Sequence, residues 1–195
     1  MTNDTKNVMI VGVGGQGTLL ASRLLGEVLT RRGYDVKVSE VHGMSQRGGS
    51  VVTYVRYGSR VSSPVIELGE ADAILSFELL EAARYLPYLK REGMLIINDN
   101  HIDPMPVITG AATYPEDLVE ALEANPVRVE LCDALTIAET AGSAKAVNVV
   151  LMARLARVLD FPREEWESAI ADVVPPRFRE LNLEAFRLSY DGPEE

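Results

Sequence analysis

Two glycine-rich stretches hold the residue types best suited to chemistry: GVGGQG at residues 12–17 and HGMSQRGG at residues 42–49. The first has the G-x-G-x-x-G spacing. Gly12, Gly14, Gly15 and Gly17 permit a tight turn and close backbone approach, with Gln16 held between them. A helix opening behind them would offer unpaired N–H groups to an anion, usually a phosphate. In the second stretch Ser45 and Gln46 can donate and accept hydrogen bonds. Arg47, followed by Gly48 and Gly49, can meet a phosphate or carboxylate, or form a salt bridge to another subunit. His42 has the chemistry of an acid, a base or a carbonyl donor near neutral pH, or of a structural hydrogen-bonding group. Glu40 stands where a ribose-binding carboxylate is expected. The blander reading of the first stretch is that its glycines only pack helix against strand or meet another protein.

The elements that must position these residues follow from hydrophobic periodicity. Asn7 to Val11 is an apolar run of the kind seen in buried parallel strands. Leu19, Leu20, Leu24, Leu25 and Val28 recur at helical spacing over Gly15 to Arg32, and Gly33 stops that helix. Asp35–Glu40 alternates as a second strand, so the first segment is a βαβ unit. Ser50–Tyr57, Ala71–Phe77, Met94–Asp99 and Val127–Leu131 are further strands, with a weaker one at Pro106–Ile108. Leu79–Arg91, interrupted at Pro87, and Pro115–Ala124 are helical. Beyond Asp133 the pattern becomes all-helical: Ala134–Ala141, Ala144–Leu159, Arg163–Val173 and Phe178–Arg187. The expected fold is α/β: a Rossmann-like open, mostly parallel sheet with flanking helices and a helical C-terminal segment. Loops at the carboxyl ends of its strands face one crevice, so the two glycine stretches should converge there. The expected domain is a single unit over residues 1–195. Within it, residues 1–133 are the sheet core and residues 134–195 are helices packed on that core or on a partner.

Composition removes several classes of function. A net charge of −10 disfavours nucleic acid and anionic membrane surfaces. The single cysteine, Cys132, allows no internal disulfide and cannot supply the thiolates of an iron–sulfur cluster. No apolar run approaches the ~20 residues that span a bilayer, and the start lacks the features of a signal peptide. A cytoplasmic protein is expected. Asn98, Asp99, Asn100, His101 and Asp103 form a polar cluster whose spacing matches no metal motif, so a turn at the crevice edge is expected and no metal. Asn148 sits in an apolar run and is placed near the glycine loop. Trp166 is either a partner anchor or core.

Read together, IVGVGGQGTLLASRLLG at residues 10–26 and EVHGMSQRGGSVVTYVR at residues 40–56 resemble the gamma-type domain of the 2-oxoacid:ferredoxin oxidoreductases. The segments AVNVVLMARLARVL and FRELNLEAFRLSYDG add to the likeness, and HGMSQRGGSV is its most specific part. The resemblance points to the indolepyruvate branch. It implies a subunit that is inactive alone and works beside an alpha subunit in a hetero-oligomer. That alpha subunit would carry thiamine diphosphate and the iron–sulfur clusters. The complex would convert indolepyruvate or another aryl pyruvate, with coenzyme A as co-substrate, to an acyl-CoA while reducing ferredoxin. On that reading no cofactor is assigned to this chain itself. Gly12, Gly14, Gly15, Gln16, Gly17, Ser45, Gln46, Arg47, Gly48 and Gly49 would hold an anion or coenzyme A, or cover the partner's active site. The competing reading is a stand-alone NAD(P)-binding protein, either a small dehydrogenase or a redox sensor.

Overall fold

The computed structural model describes residues 4–43 and 48–193. Six strands form one sheet: β1 (Lys6–Val13), β2 (Asp35–His42), β3 (Ser50–Gly58), β4 (Ala71–Ser76), β5 (Leu89–Asn98) and β6 (Arg128–Cys132). Their order is β2-β3-β1-β4-β5-β6. The pairs β1–β4, β4–β5 and β5–β6 are parallel, whereas β3 runs antiparallel to both β1 and β2. The fold is therefore α/β with a mixed sheet, and β2 does not lie beside β1 as a simple βαβ unit would place it. The connection from β2 to β3 is too short for a parallel crossover, which needs a dozen or more residues. A hairpin results, and β3 takes the place next to β1.

Helices cover both faces of the sheet. On one face lie α1 (Thr18–Arg31), α5 (Ala134–Thr140), α6 (Val147–Leu159), α7 (Arg163–Val173) and α8 (Arg179–Asp191). Val8 and Ile10 of β1 join their core with Leu24, Val150, Ile170 and Phe186. The opposite face buries Met9 and Val11 with Ala82 of α2 (Leu79–Tyr85) and Leu122 of α4 (Leu118–Glu123). Successive residues of β1 thus fill two different cores, which is why the strand reads as an unbroken apolar run. The C-terminal helices pack on the sheet, with α6 as their centre: every residue from Val149 to Ala156 is buried. Trp166 belongs to this core and not to a partner-facing surface; it is 1% exposed between Phe161 and Phe186.

Two further boundaries differ from the sequence reading. Pro106–Ile108 is no strand; it belongs to a single helical turn, α3 (Met105–Ile108), with Pro104 at its N-cap. Proline is tolerated in a first helical turn and costs a strand its ladder hydrogen bond. The helix beginning at Leu79 ends at Tyr85 rather than Arg91, because Pro87 falls in a 3₁₀ turn and β5 starts at Leu89. Among the described residues no helix is long and apolar enough to cross a membrane.

Candidate functional site

Strand β1 delivers the first glycine loop to the carboxyl edge of the sheet. Gly15 and Gly17 have φ of 106° and 92°, in the left-handed region, so α1 starts only at Thr18. A side chain at Gly12 would place its Cβ 2.8 Å from Gln16 Oε1 and 2.9 Å from the Phe77 Cβ. That closeness arises because Gln16 folds back into the loop. Its Oε1 accepts the Val13 N–H at 2.7 Å and its Nε2 donates to the Phe77 carbonyl at 3.0 Å. Gln16 is thus the brace of the turn, tying the end of β1 to the end of β4. Asn98 extends the brace, donating to the same Phe77 carbonyl at 3.3 Å and accepting the Ala134 N–H at 3.3 Å. The ends of three strands and the start of α5 are held in one polar chain.

The second glycine stretch meets the first. The Gly14 N–H donates to the Gly49 carbonyl at 2.8 Å, and the Gly48 N–H returns to the Gly14 carbonyl at 3.4 Å. Ser45, Gln46 and Arg47 lie outside the described residues. Between the two loops is an open cleft of about 400 Å³. Gly14, Gly15, Gly17 and Thr18 line one wall; Glu40, His42 and Val51 line the other. Leu19, 48% exposed, stands at its rim. His42 is exposed at the cleft, and its Nδ1 lies 3.1 Å from the Gly43 carbonyl. Asn148, buried against Gly17, places its Nδ2 2.8 Å from where a Cβ there would sit, near the glycine loop as expected. The chemistry on offer is anion binding by backbone donors beside one carboxylate and one imidazole.

The polar cluster after β5 turns out to be divided in its work. Asn98 serves the brace, whereas the His101 ring stacks on Tyr114 at 3.6 Å and its Nε2 pairs with Asp103 at 2.7 Å. Sequence reasoning missed the group that organises this corner, Glu78, which is 1% exposed. It caps α2 by accepting the Glu81 N–H at 2.9 Å, and also accepts from the Ile102 N–H at 3.2 Å and the Tyr114 hydroxyl at 2.5 Å. Burial, reinforced by Glu78, pushes the Tyr114 phenol well above its ordinary value. A glutamate at a helix start is a local signal; its partners 24 and 36 residues away leave none. Among the described residues no group of three or more His, Cys, Asp or Glu could hold a metal ion. Cys132, 0% exposed, sits in the core.

Residues 7–192 match the family model described as pyruvate ferredoxin/flavodoxin oxidoreductase. The chain is 42% identical over 194 residues to the indolepyruvate oxidoreductase subunit IorB of Thermococcus kodakarensis, covering 97% of this chain and 96% of that one. It is 43% identical over 194 residues to the protein of the same name from Pyrococcus horikoshii, with the same 97% and 96% coverage. Among solved structures it is similar to the pyruvate oxidoreductase subunit PORC of Thermotoga maritima, with a TM-score of 0.75 and 20% identity. That likeness covers 97% of both chains and concerns the fold.

Proposed function

Because the chain belongs to the pyruvate ferredoxin/flavodoxin oxidoreductase family, we propose that it is the non-cofactor subunit of an indolepyruvate:ferredoxin oxidoreductase. The observation that carries the substrate is the likeness, over nearly the whole length, to two relatives named as subunits of the indolepyruvate enzyme. Residues 1–195 would act as one gamma-type domain, in the cytoplasm, beside a catalytic alpha subunit. Thiamine diphosphate and iron–sulfur clusters would belong to that partner, where the bound thiamine supplies the decarboxylation chemistry and the clusters pass electrons to ferredoxin. The donor set here agrees with that division, since a cluster needs several thiolates and this chain has one buried cysteine.

The role left to this chain is to wall and orient. The edge where Gly14 meets Gly48 and Gly49 is a rim suited to close over a partner's site and exclude water from a reactive intermediate. The start of α1 and the N–H groups of the glycine loop suit a phosphate of coenzyme A, and the guanidinium of Arg47 has the chemistry to share that charge. The cleft is less suited to NAD(P). In a dinucleotide fold the ribose carboxylate stands on the strand beside β1, whereas Glu40 is one strand further out, roughly 10 Å from β1 at normal strand spacing.

The deciding experiment is reconstitution with the catalytic subunit, measuring ferredoxin reduction with indolepyruvate, phenylpyruvate, pyruvate and 2-oxoglutarate. Turnover of the aryl pyruvates only when both subunits are present is expected. A full rate from the catalytic subunit by itself would sink the proposal, and tight NAD(H) binding by the isolated chain would favour the competing reading.

A further inference from the structure

At the opposite, amino-terminal edge of the sheet lies a second cavity, of about 410 Å³. The starts of β1, β4, β5 and β6 surround it beneath the C-terminal end of α6. Four cations, Lys6, Lys90, Arg91 and Arg128, line it against two carboxylates, Asp72 and Glu92. Asp72 is already committed, accepting the Asn7 N–H at 2.8 Å and the Lys90 ammonium at 2.7 Å. Arg128 donates to the Glu92 backbone carbonyl at 3.3 Å. Lys6 and Arg91 are exposed, and no side-chain hydrogen bond or ion pair to either is found among the described residues.

Such a concentration of cations runs against the rest of the molecule. The net charge is −10, and Arg31, Arg32, Arg163 and Arg187 each meet a carboxylate. Unpaired cations around a concavity raise the local concentration of anions. The end of α6 adds a second requirement, because Val158 and Leu159 line the cavity and are only half-buried. Tyr57 supplies a third. It is 5% exposed and packed edge-on to Tyr34 and Phe161, yet its hydroxyl bonds to no described residue. Burial pushes that phenol up to about 12, so it stays protonated and can only donate to an anion.

We propose that this cavity binds a small organic carboxylate with an aryl-sized apolar body. The carboxylate accepts a hydrogen bond from the Tyr57 hydroxyl and faces Lys6 and Arg91, while the body lies on Val158 and Leu159. The volume falls in the usual range of small-molecule sites. An inorganic anion would leave Val158 and Leu159 uncovered, and a neutral aromatic would leave the cations and the hydroxyl without a partner. This inference does not rest on the proposed oxidoreductase function.

The test is calorimetric titration of the purified chain with phenylacetate as probe. Phenylacetamide, which keeps the body and loses the charge, and inorganic phosphate, which keeps charge and loses the body, serve as comparisons. Saturable phenylacetate binding at or below roughly 1 mM is expected, with both comparison compounds weaker by about tenfold or more. Arg91→Glu, at an exposed position that leaves the fold intact, should weaken phenylacetate by about tenfold, and Tyr57→Phe by several-fold. No saturable heat with phenylacetate overturns the proposal. So does phosphate binding as tight as phenylacetate, or an unchanged affinity in Arg91→Glu.

Discussion

Replacing Gln16 by alanine tests whether the glycine loop is braced from within. The variant removes the acceptor of the Val13 N–H and one of two donors to the Phe77 carbonyl. Phe77 keeps its bond from Asn98, so its carbonyl remains partly satisfied. Val13 is 8% exposed, and its N–H would be left without a partner of comparable quality. Two net hydrogen bonds at about 1 kcal/mol each, plus part of the desolvation cost of the orphaned donor, give a loss of about 2–3 kcal/mol. For a chain of this length that corresponds to a melting point lower by roughly 4–12 °C. Urea and thermal unfolding followed by circular dichroism read the change directly. Gly12→Ala should also destabilise, since its Cβ would collide with Gln16 and Phe77. In the double variant the Gln16 half of that collision disappears, so the two losses should sum to less than their separate values. A Gln16→Ala protein that melts within about 1 °C of the parent would refute the brace, as would strict additivity in the double variant.

Three other perturbations follow from the same geometry. Glu78→Ala leaves the Glu81 and Ile102 N–H groups and the Tyr114 hydroxyl without their shared acceptor; hydrogen exchange should accelerate at Glu81 and Ile102 before the rest of the chain is affected. The guanidinium of Arg187, with that of Arg163, holds the Glu167 carboxyl at about 2, well below the ordinary carboxylate value of 4.5. A carboxyl whose folded value is depressed contributes stability above the unfolded value, lost as pH falls from about 4.5 towards 2; Glu167→Gln should flatten that limb of a urea-midpoint against pH plot. Arg154, 1% exposed, pairs with Glu130 at 3.2 Å; Arg154→Met should cost about 3–5 kcal/mol in urea unfolding, and adding Glu130→Leu should recover a large part of it.

How much of this was legible depended on the range of each interaction. The strand starts at Ser50 and Ala71 and the span Arg163–Val173 follow from local periodicity, and the structure has the same limits there. The meeting of the two glycine loops was also readable, because strand ends of one sheet share an edge. Strand order was not. The antiparallel place of β3 is decided by the length of the β2–β3 connection, whereas β-branched residues suit either pairing direction. Glu78 was invisible for a related reason, since its caps join three segments that no short pattern links. Cavity charge at the amino edge was hidden too: Lys6, Arg91 and Arg128 stand far apart in the chain, and only the sheet brings them together.

The hairpin carries a further consequence for Glu40 and His42. Both lie on an outermost strand supported on one side only, with Glu40 opposite Thr53 and His42 opposite Val51. A slip of one residue would turn Val41 towards the cleft and carry the carboxylate and the imidazole to the other face. The paired contacts of Gly14 with Gly48 and Gly49 stand at the far end of that hairpin and act as a detent, setting its alignment before any occupant arrives. Lengthening the 43–49 loop would therefore matter less for its reach than for the alignment it lets drift.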